Sequence, residues 1–142
     1  MTTLVLAGGF LGAGKTTLLI AASRLLRGRG VRTAMILNDQ GGELVDTALA
    51  STAGFEADEV TGACFCCRFS DFVRRAEGLL KHEPQVIFAE PVGSCMDISA
   101  TILQPLKKFY GKSGKRCTGL LCDLGADAAS SENPFEGFVA AK

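Results

Sequence analysis

The sequence predicts an α/β fold in which a mainly parallel sheet carries helices on both faces. Two features of the chain lead to this prediction. Apolar runs of strand length alternate with segments whose apolar residues recur at helical spacing. A glycine-rich segment also joins the first apolar run directly to the first helical segment. Such strand–helix–strand units form right-handed crossovers, and ligands bind at the carboxyl ends of their parallel strands.

The first half of the chain contains two predicted strands. Residues 3–7 form an apolar run of strand type, and Gly30 ends the helix that follows. Residues 31–37 predict a second buried strand, followed by a polar loop over 38–43 and a short helix over 46–53. The first helix is indicated by an apolar stripe of four residues: Leu18, Ala21, Ala22 and Leu25.

The second half continues the alternation. Residues 55–61 predict a short extended segment, and residues 85–89 predict a third strong strand. A helix over 96–109, broken at Pro105, and a further strand over 117–122 complete the pattern. Between the first and second of these elements, a helix is predicted from apolar residues at helical spacing: Phe69, Phe72, Val73, Ala76, Leu79 and Leu80.

The glycine-rich segment has the residues of a phosphate-binding loop. The pattern G-x-x-x-x-G-K-[ST] is met from Gly9 to Thr16. Gly12 and Gly14 let the backbone curl so that its N–H groups, and the following helix N-terminus, face phosphate oxygens. Lys15 can reach the β- and γ-phosphates, and the Thr16 hydroxyl can bind Mg²⁺. The alternative is a glycine-rich turn with a chance Lys-Thr, which the flanking strand and helix disfavour.

This loop makes the predicted fold one of the P-loop NTPase type, with an incomplete sheet. The residues expected to bind the nucleotide are Gly9, Gly12, Ala13, Gly14, Lys15, Thr16 and Thr17. The nucleotide loop and the loops after the next two long strands all lie at carboxyl ends of parallel strands, so we expect them to converge.

Acidic residues follow the second and third strands. Asp39, Glu43 and Asp46 lie where a P-loop NTPase holds a segment that senses Mg²⁺ and the γ-phosphate; a solvated acidic loop is the alternative. Glu90 ends an apolar strand directed at the phosphate loop, so it is predicted to bind Mg²⁺ or orient the attacking water, with helix capping as the alternative. The predicted catalytic residues are Lys15, Glu90 and Asp39.

Three of the six cysteines are concentrated in the segment Cys64-Phe65-Cys66-Cys67, just before a predicted helix. A helix N-terminus lowers the pKa of a thiol and favours the thiolate that metals require. Because Zn²⁺ takes about four ligands, adjacent cysteines are expected to strain such a site, and a carboxylate, water, cysteine or second subunit would have to join. Cys64, Cys66 and Cys67 are therefore candidate transition-metal ligands, with buried apolar cysteines as the alternative. His82 is expected at the surface.

Composition and charge exclude several classes of function. The 142 residues are 47% hydrophobic, enough to form the core of one domain. The 15 basic and 15 acidic residues give no net charge, which argues against a nucleic-acid partner. Residues 1–22 are apolar, but glycines and Lys15 interrupt them and no basic residue precedes them. We therefore expect no signal or membrane segment, and a cytoplasmic location.

The phosphate loop from Gly9 to Thr17, the Cys64–Cys67 motif and Glu90-x-x-Gly93, in this order, resemble the CobW/HypB/UreG family of P-loop GTPases, especially its CobW-like branch. The resemblance makes residues 1–110 the N-terminal part of a nucleotide-binding domain. It implies a GTPase that acts as a metallochaperone or insertase for Zn²⁺, Co²⁺ or Ni²⁺, or in cobalamin-related metabolism.

The resemblance also implies site residues and partners. Lys15 and Thr16 would bind phosphate and Mg²⁺, Glu90 would be the Walker-B-like acid, and the three cysteines would hold the transition metal. GTP and Mg²⁺ are the implied cofactors, with ATP still open. A client metalloprotein and a homodimer are the implied partners; neither nucleic acid nor membrane is expected.

The chain departs from the family pattern in three places. Where the branch often has Asn-Glu-Phe-Gly-Glu, residues 38–42 read Asn-Asp-Gln-Gly-Gly, and the second acid is displaced to Glu43. Ala63 stands where glycine commonly precedes the first cysteine. No Asn-Lys-x-Asp motif for reading guanine occurs, and residues 111–142 match poorly as a tail with one further strand and an irregular segment. We therefore expect a truncated member.

Two other functions stay open at this point. One is a partial nucleotide- or metal-binding module without turnover, which the missing base-reading motif favours. The other is a P-loop kinase for a small molecule, in which Arg68, Arg74 and Arg75 would cover the phosphates.

Overall fold

The computed structural model describes residues 2–39, 56–93, 97–111 and 118–124. The strands are β1 (Thr3–Gly9), β2 (Thr33–Asp39), β3 (Glu56–Thr61), β4 (Val86–Glu90) and β5 (Thr118–Leu124). The helices are α1 (Lys15–Gly28), α2 (Phe69–Leu80) and α3 (Gln104–Gly111), the last preceded by a π-helical segment (Ser99–Leu103). The predicted helix over 46–53 lies outside the described residues.

The five described strands form one sheet in the order β3-β2-β4-β1-β5, and each neighbouring pair is parallel. β4 lies between β1 and β2, with Leu6 opposite Ala89 and Leu37 opposite Glu90. The carboxyl ends of β1, β4, β2 and β3 therefore lie side by side along one edge of the sheet. This confirms the α/β fold with a parallel sheet.

Helices cover both faces of the sheet, because its central strands carry apolar residues in both directions. On one face, α1 packs through Leu19, Ile20 and Ala22 against residues of β1, β2 and β4. On the other face, α2 and the segment from Ile98 to Leu106 pack against the alternate residues of the same strands. A buried pair of hydroxyls, Ser23 Oγ and Thr33 Oγ1 at 2.5 Å, joins α1 to β2.

The third helical region differs from the prediction at Pro105, which does not end the helix. Asp97 begins this region, since its carboxylate accepts a hydrogen bond from the Ala100 N–H at 2.8 Å. The chain then widens into the π-helical segment, and Pro105 follows as the second residue of α3. In a first turn the missing proline N–H removes no α-helical bond, and the wider turn before it leaves room for the ring.

The other differences concern element ends. β2 begins and ends two residues later than predicted, and β1 extends two residues further, to Gly9. The strand predicted over 117–122 is present as β5, which pairs with β1 along its whole length. Among the described residues, no helix combines the length and apolar character needed to cross a lipid bilayer.

Candidate nucleotide and metal site

The loop between β1 and α1 has the backbone of a phosphate cradle. Gly12 and Gly14 both lie at φ 79°, a left-handed conformation that a side chain would strain. The Ala13 N–H donates to the Phe10 carbonyl at 3.2 Å, which closes the bend. Gly14 immediately precedes the first residue of α1, so the bend opens at a helix N-terminus. The predicted curl of the loop is confirmed at both glycines.

Three side chains meet where this loop faces the end of β4. Thr16 Oγ1 donates a hydrogen bond to Glu90 Oε2 at 2.7 Å. Lys15 Nζ lies 3.8 Å from Glu90 Oε1 and donates to the Phe10 carbonyl at 3.0 Å. Lys15 is only 5% exposed, so its charge is held inside the site. The predicted convergence of the loops after β1 and β4 is confirmed.

The two loops also touch through their backbones. A Cβ atom on Gly93 would lie 2.8 Å from Leu11 N and 3.1 Å from Gly9 O, closer than such contacts allow. Only glycine fits at this position without moving one of the two loops. The spacing Glu90-x-x-Gly93 thus places a carboxylate beside Thr16 and a residue without a side chain against the phosphate loop.

The donor set fits Mg²⁺. Thr16 Oγ1 and Glu90 Oε2 are hard oxygen donors 2.7 Å apart. Neighbouring ligands of an octahedral Mg²⁺ with bonds of about 2.0–2.1 Å are themselves about 2.9 Å apart. The two residues could therefore share one ion as adjacent ligands, with a phosphate held by Lys15 beside them.

The predicted acids after β2 cannot be placed in this site. Asp39 is the last residue of β2, but its side chain lies outside the described part of the chain, as do Glu43 and Asp46. These assignments stay predictions.

The cysteine motif follows β3 and forms the turn that begins α2; we call residues 62–68 the thiol loop. Phe65 points inward, is fully buried, and packs its ring against Phe72 with centroids 4.7 Å apart. The Arg68 N–H donates to the Cys64 carbonyl at 3.0 Å, which closes the turn. Because Phe65 fills the core, the cysteines on either side of it are left near the surface.

The sulfur atoms of Cys64, Cys66 and Cys67 all lie within 4.8 Å of one another, and none forms a disulfide. Zn²⁺ bound at about 2.3 Å from each sulfur would hold them about 3.8 Å apart. The strain expected from adjacent cysteines is therefore relieved by the turn around Phe65. Among the described residues, no histidine, carboxylate or fourth cysteine joins this group.

The neighbouring thiols raise the pKa of Cys67, whereas a helix N-terminus would lower it. The hydrogen bond with Cys64, supported by Cys66, raises the pKa of Cys67 to about 11. Cys64 Sγ and Cys67 Sγ are hydrogen bonded at 3.3 Å. In the absence of metal this thiol holds its proton, and a bound cation has to displace it.

Asn38 is a site residue that the sequence prediction missed. Its Nδ2 donates to the Val60 carbonyl at 3.1 Å and to the Ala63 carbonyl at 2.8 Å. The signal available in the sequence was a polar side chain immediately after the buried run of β2. The side chain fastens the start of the thiol loop to β2.

The arginines considered for a kinase lid are engaged elsewhere. Arg68 and Arg74 both pair with Asp71, and Arg68 foremost holds the pKa of Asp71 below its usual value. Arg75 pairs with Asp58 on β3. These ion pairs engage the three guanidinium groups with acids on α2 and β3.

Comparison with known proteins agrees with this geometry. The model of the family described as CobW/HypB/UreG, nucleotide-binding domain, matches residues 3–115. A solved structure, the signal recognition particle receptor FtsY from Elizabethkingia anophelis, has a similar fold with a TM-score of 0.58 at 14% identity. That match covers 85% of this chain and 41% of the FtsY chain, so the chain spans about two fifths of that length. A search of curated proteins finds no match.

Proposed function

The chain belongs to the CobW/HypB/UreG family of nucleotide-binding domains, and from this premise we propose that it couples GTP hydrolysis to the handling of Zn²⁺, Co²⁺ or Ni²⁺. One observation carries the proposal. The residues that suit a magnesium nucleotide and the three clustered thiols lie along the same edge of one parallel sheet. A nucleotide and a metal ion bound there would be separated only by the ends of neighbouring strands.

The nucleotide half of the site supports binding and turnover through its own residues. The curled backbone and the N-terminus of α1 bind the phosphates, and Lys15 stabilises charge that develops on the γ-phosphate when water attacks it. Glu90 and Thr16 hold the oxygen donors for Mg²⁺, which when bound neutralises phosphate charge. The proposed catalytic residues are Lys15 and Glu90, with Asp39 as a further candidate. The GTP preference follows from the family.

The metal half of the site suits a carrier. A closed structural zinc site is worth about 10–16 kcal/mol, whereas coupling between two sites is typically about 1–3 kcal/mol. Coupling of that size could not empty a closed site. The three described thiols leave one tetrahedral position for a ligand from elsewhere, so the ion can be passed on. We propose that a client metalloprotein, or a second copy of this chain, supplies it.

The metal affinity measured with and without nucleotide tests this function. We expect Mg-GTP to change the Zn²⁺, Co²⁺ or Ni²⁺ affinity of the wild type by about 5- to 150-fold. Cys66→Ala should weaken metal binding and leave GTP affinity unchanged. His82→Ala is the control, because His82 is exposed in the turn at the opposite end of α2. Equal affinities in all four cases, wild type and Cys66→Ala with and without Mg-GTP, would overturn the proposal.

GTP turnover tests the enzymatic half separately. Purified wild type should release phosphate from Mg-GTP, and Lys15→Ala should not. Binding without any release of phosphate would make the chain a nucleotide-binding module without turnover.

A further inference from the structure

A carboxamide, that of Asn38, fastens the start of the thiol loop to β2. The NH₂ group of Asn38 donates hydrogen bonds to two backbone carbonyls where the chain leaves β3. These are the carbonyls of Val60 and Ala63. Two carbonyl oxygens can only be satisfied by the NH₂ group, which fixes the orientation of the carboxamide. The second of these carbonyls belongs to the residue that directly precedes Cys64. The position of the first thiol ligand thus depends on the Asn38 side chain.

Within the described part of the chain, the hydrogen bonds of the Asn38 side chain are those that its NH₂ group donates. Its Oδ1 is buried and has no hydrogen-bond partner among the described residues, while both donor positions are used. A leucine would occupy a similar volume but would leave both carbonyls without this donor. The carboxamide therefore acts on the loop through its NH₂ group.

Asn38 lies on the strand between the nucleotide residues and the thiol loop. In the order β3-β2-β4-β1, only β2 separates the strand that leads into the thiol loop from the strand that carries Glu90. Leu37 lies opposite Glu90 in the register, and Asn38 is the next residue. Asn38 thus lies between the nucleotide half and the metal half of the edge.

We propose that Asn38 is a positioning residue for the metal: its carboxamide holds the thiol loop so that Cys64, Cys66 and Cys67 can bind one ion, and it links their geometry to the end of β2. This inference rests on the proposed metal binding by the three cysteines. In this proposal Asn38 acts on the thiols through the Ala63 carbonyl and is not itself a ligand. Residues that orient metal ligands in this way typically change metal affinity by about 10- to 100-fold when they are removed.

Cobalt binding to the full chain provides the test, because Co²⁺ reports on its ligands spectroscopically. Thiolate-to-cobalt charge-transfer absorption measures how many sulfurs bind, and the d–d bands measure how tetrahedral the ion is.

Asn38→Leu removes the donors at similar volume, and Asn38→Asp replaces them with oxygens that repel the two carbonyls. We expect both variants to bind Co²⁺ about 10- to 100-fold more weakly and with reduced charge-transfer absorption per ion. Asn38→Ser, which retains one donor, should have a Co²⁺ affinity between those of the first two variants and the wild type. It becomes the test variant if Asn38→Leu and Asn38→Asp fail to fold.

Thr33→Val is the matched control, since it removes a buried hydrogen bond from the other end of the same strand. It should lower thermal stability without changing the cobalt spectrum. Asn38 variants with the wild-type spectrum and affinity, or with a loss no larger than that of Thr33→Val, would overturn the role of Asn38 and leave the proposed function standing. A wild type that shows no charge-transfer absorption with Co²⁺ would instead overturn the metal half of the proposed function.

Discussion

At the scale of single residues, Glu90 has two different contacts. One carboxylate oxygen accepts from Thr16, and the other lies 3.8 Å from the Lys15 ammonium. A nucleotide phosphate would bring negative charge next to this carboxylate. Repulsion between the two weakens nucleotide binding unless a divalent cation lies between them. Glu90 should therefore make nucleotide binding depend on Mg²⁺.

Glu90→Gln tests this dependence, because it removes the charge and keeps the size of the side chain. We expect the ratio of GTP affinities in Mg²⁺ and in EDTA to fall about tenfold or more, since a hydrogen bond to a charged group is worth about 1.5–3 kcal/mol. Titration of a fluorescent GTP analogue measures both affinities. Glu83→Gln is the control, since Glu83 is exposed in the turn before β4. A ratio equal to that of the wild type would show that Glu90 has no part in Mg²⁺ binding.

The thiols predict a pH dependence of metal binding. The neighbouring thiols raise the pKa of Cys67 to about 11, so this group is protonated at neutral pH and must lose its proton to bind a metal. Metal affinity should therefore rise with pH from 6 to 8, by up to about tenfold per pH unit for each proton released. Cobalt titrations over this range measure the slope, and Cys67→Ser should reduce it by about one proton. An affinity that does not change with pH would contradict this account.

At the scale of elements, the loop after β4 supports the phosphate loop by contact of backbone with backbone. A methyl group on Gly93 would meet Leu11 N at 2.8 Å, and the three nearest atoms all belong to the backbone of the phosphate loop. Gly93→Ala should therefore displace the phosphate loop. We expect it to cost about 1–3 kcal/mol of unfolding free energy, as overpacking does, and to weaken nucleotide binding.

Gly78→Ala is the matched substitution for that experiment. Gly78 lies within α2, and a Cβ atom there meets nothing within 4 Å. This variant should be more stable by about 0.5–1 kcal/mol, because alanine favours the helix over glycine. Chemical denaturation compares the two. Should Gly93→Ala be as stable as Gly78→Ala and bind GTP normally, the contact between the loops would not matter for the site.

The elements that the sequence predicted correctly are those whose signal is local. The apolar stripe of α2 and the apolar runs of β1 and β4 determine which faces are buried, so their periodicity sufficed. The stripe predicted for α1 is only half right, because Ala21 and Leu25 are exposed while Leu19 and Ile20 are buried. Pro105 was wrongly expected to break its helix, because a sequence pattern does not show that a wider turn can precede a proline. The role of Asn38 could not be predicted either. Its partners, Val60 and Ala63, come close only after β3 has paired with β2.

At the scale of the whole molecule, the sheet order brings together residues distant in sequence. Thr16 and Glu90 are 74 positions apart, yet they are hydrogen bonded because β1 and β4 are neighbours. The sequence motifs predicted that their loops would converge, since the carboxyl ends of parallel strands share one edge. Which strands are adjacent, and hence which loop faces which, required the structure.

The same order arranges the two halves of the proposed activity along one edge. The nucleotide residues lie at the ends of β1 and β4, the thiol loop leaves β3, and β2 lies between them. A conformational change caused by nucleotide binding at the end of β4 would need to cross only β2 to reach the thiol loop. This arrangement requires that the loops after β1 and β4 form one site for a magnesium nucleotide.

Calorimetric titration of GTP in Mg²⁺ into wild type, Lys15→Ala and Lys81→Ala tests that claim most directly. Lys15 is buried beside Glu90, whereas Lys81 is exposed after α2. We expect the wild type and Lys81→Ala to bind alike and Lys15→Ala to bind about 10- to 150-fold more weakly, the loss of a contact worth about 1.5–3 kcal/mol. Equal affinity in all three proteins, or no binding by the wild type, would contradict the account.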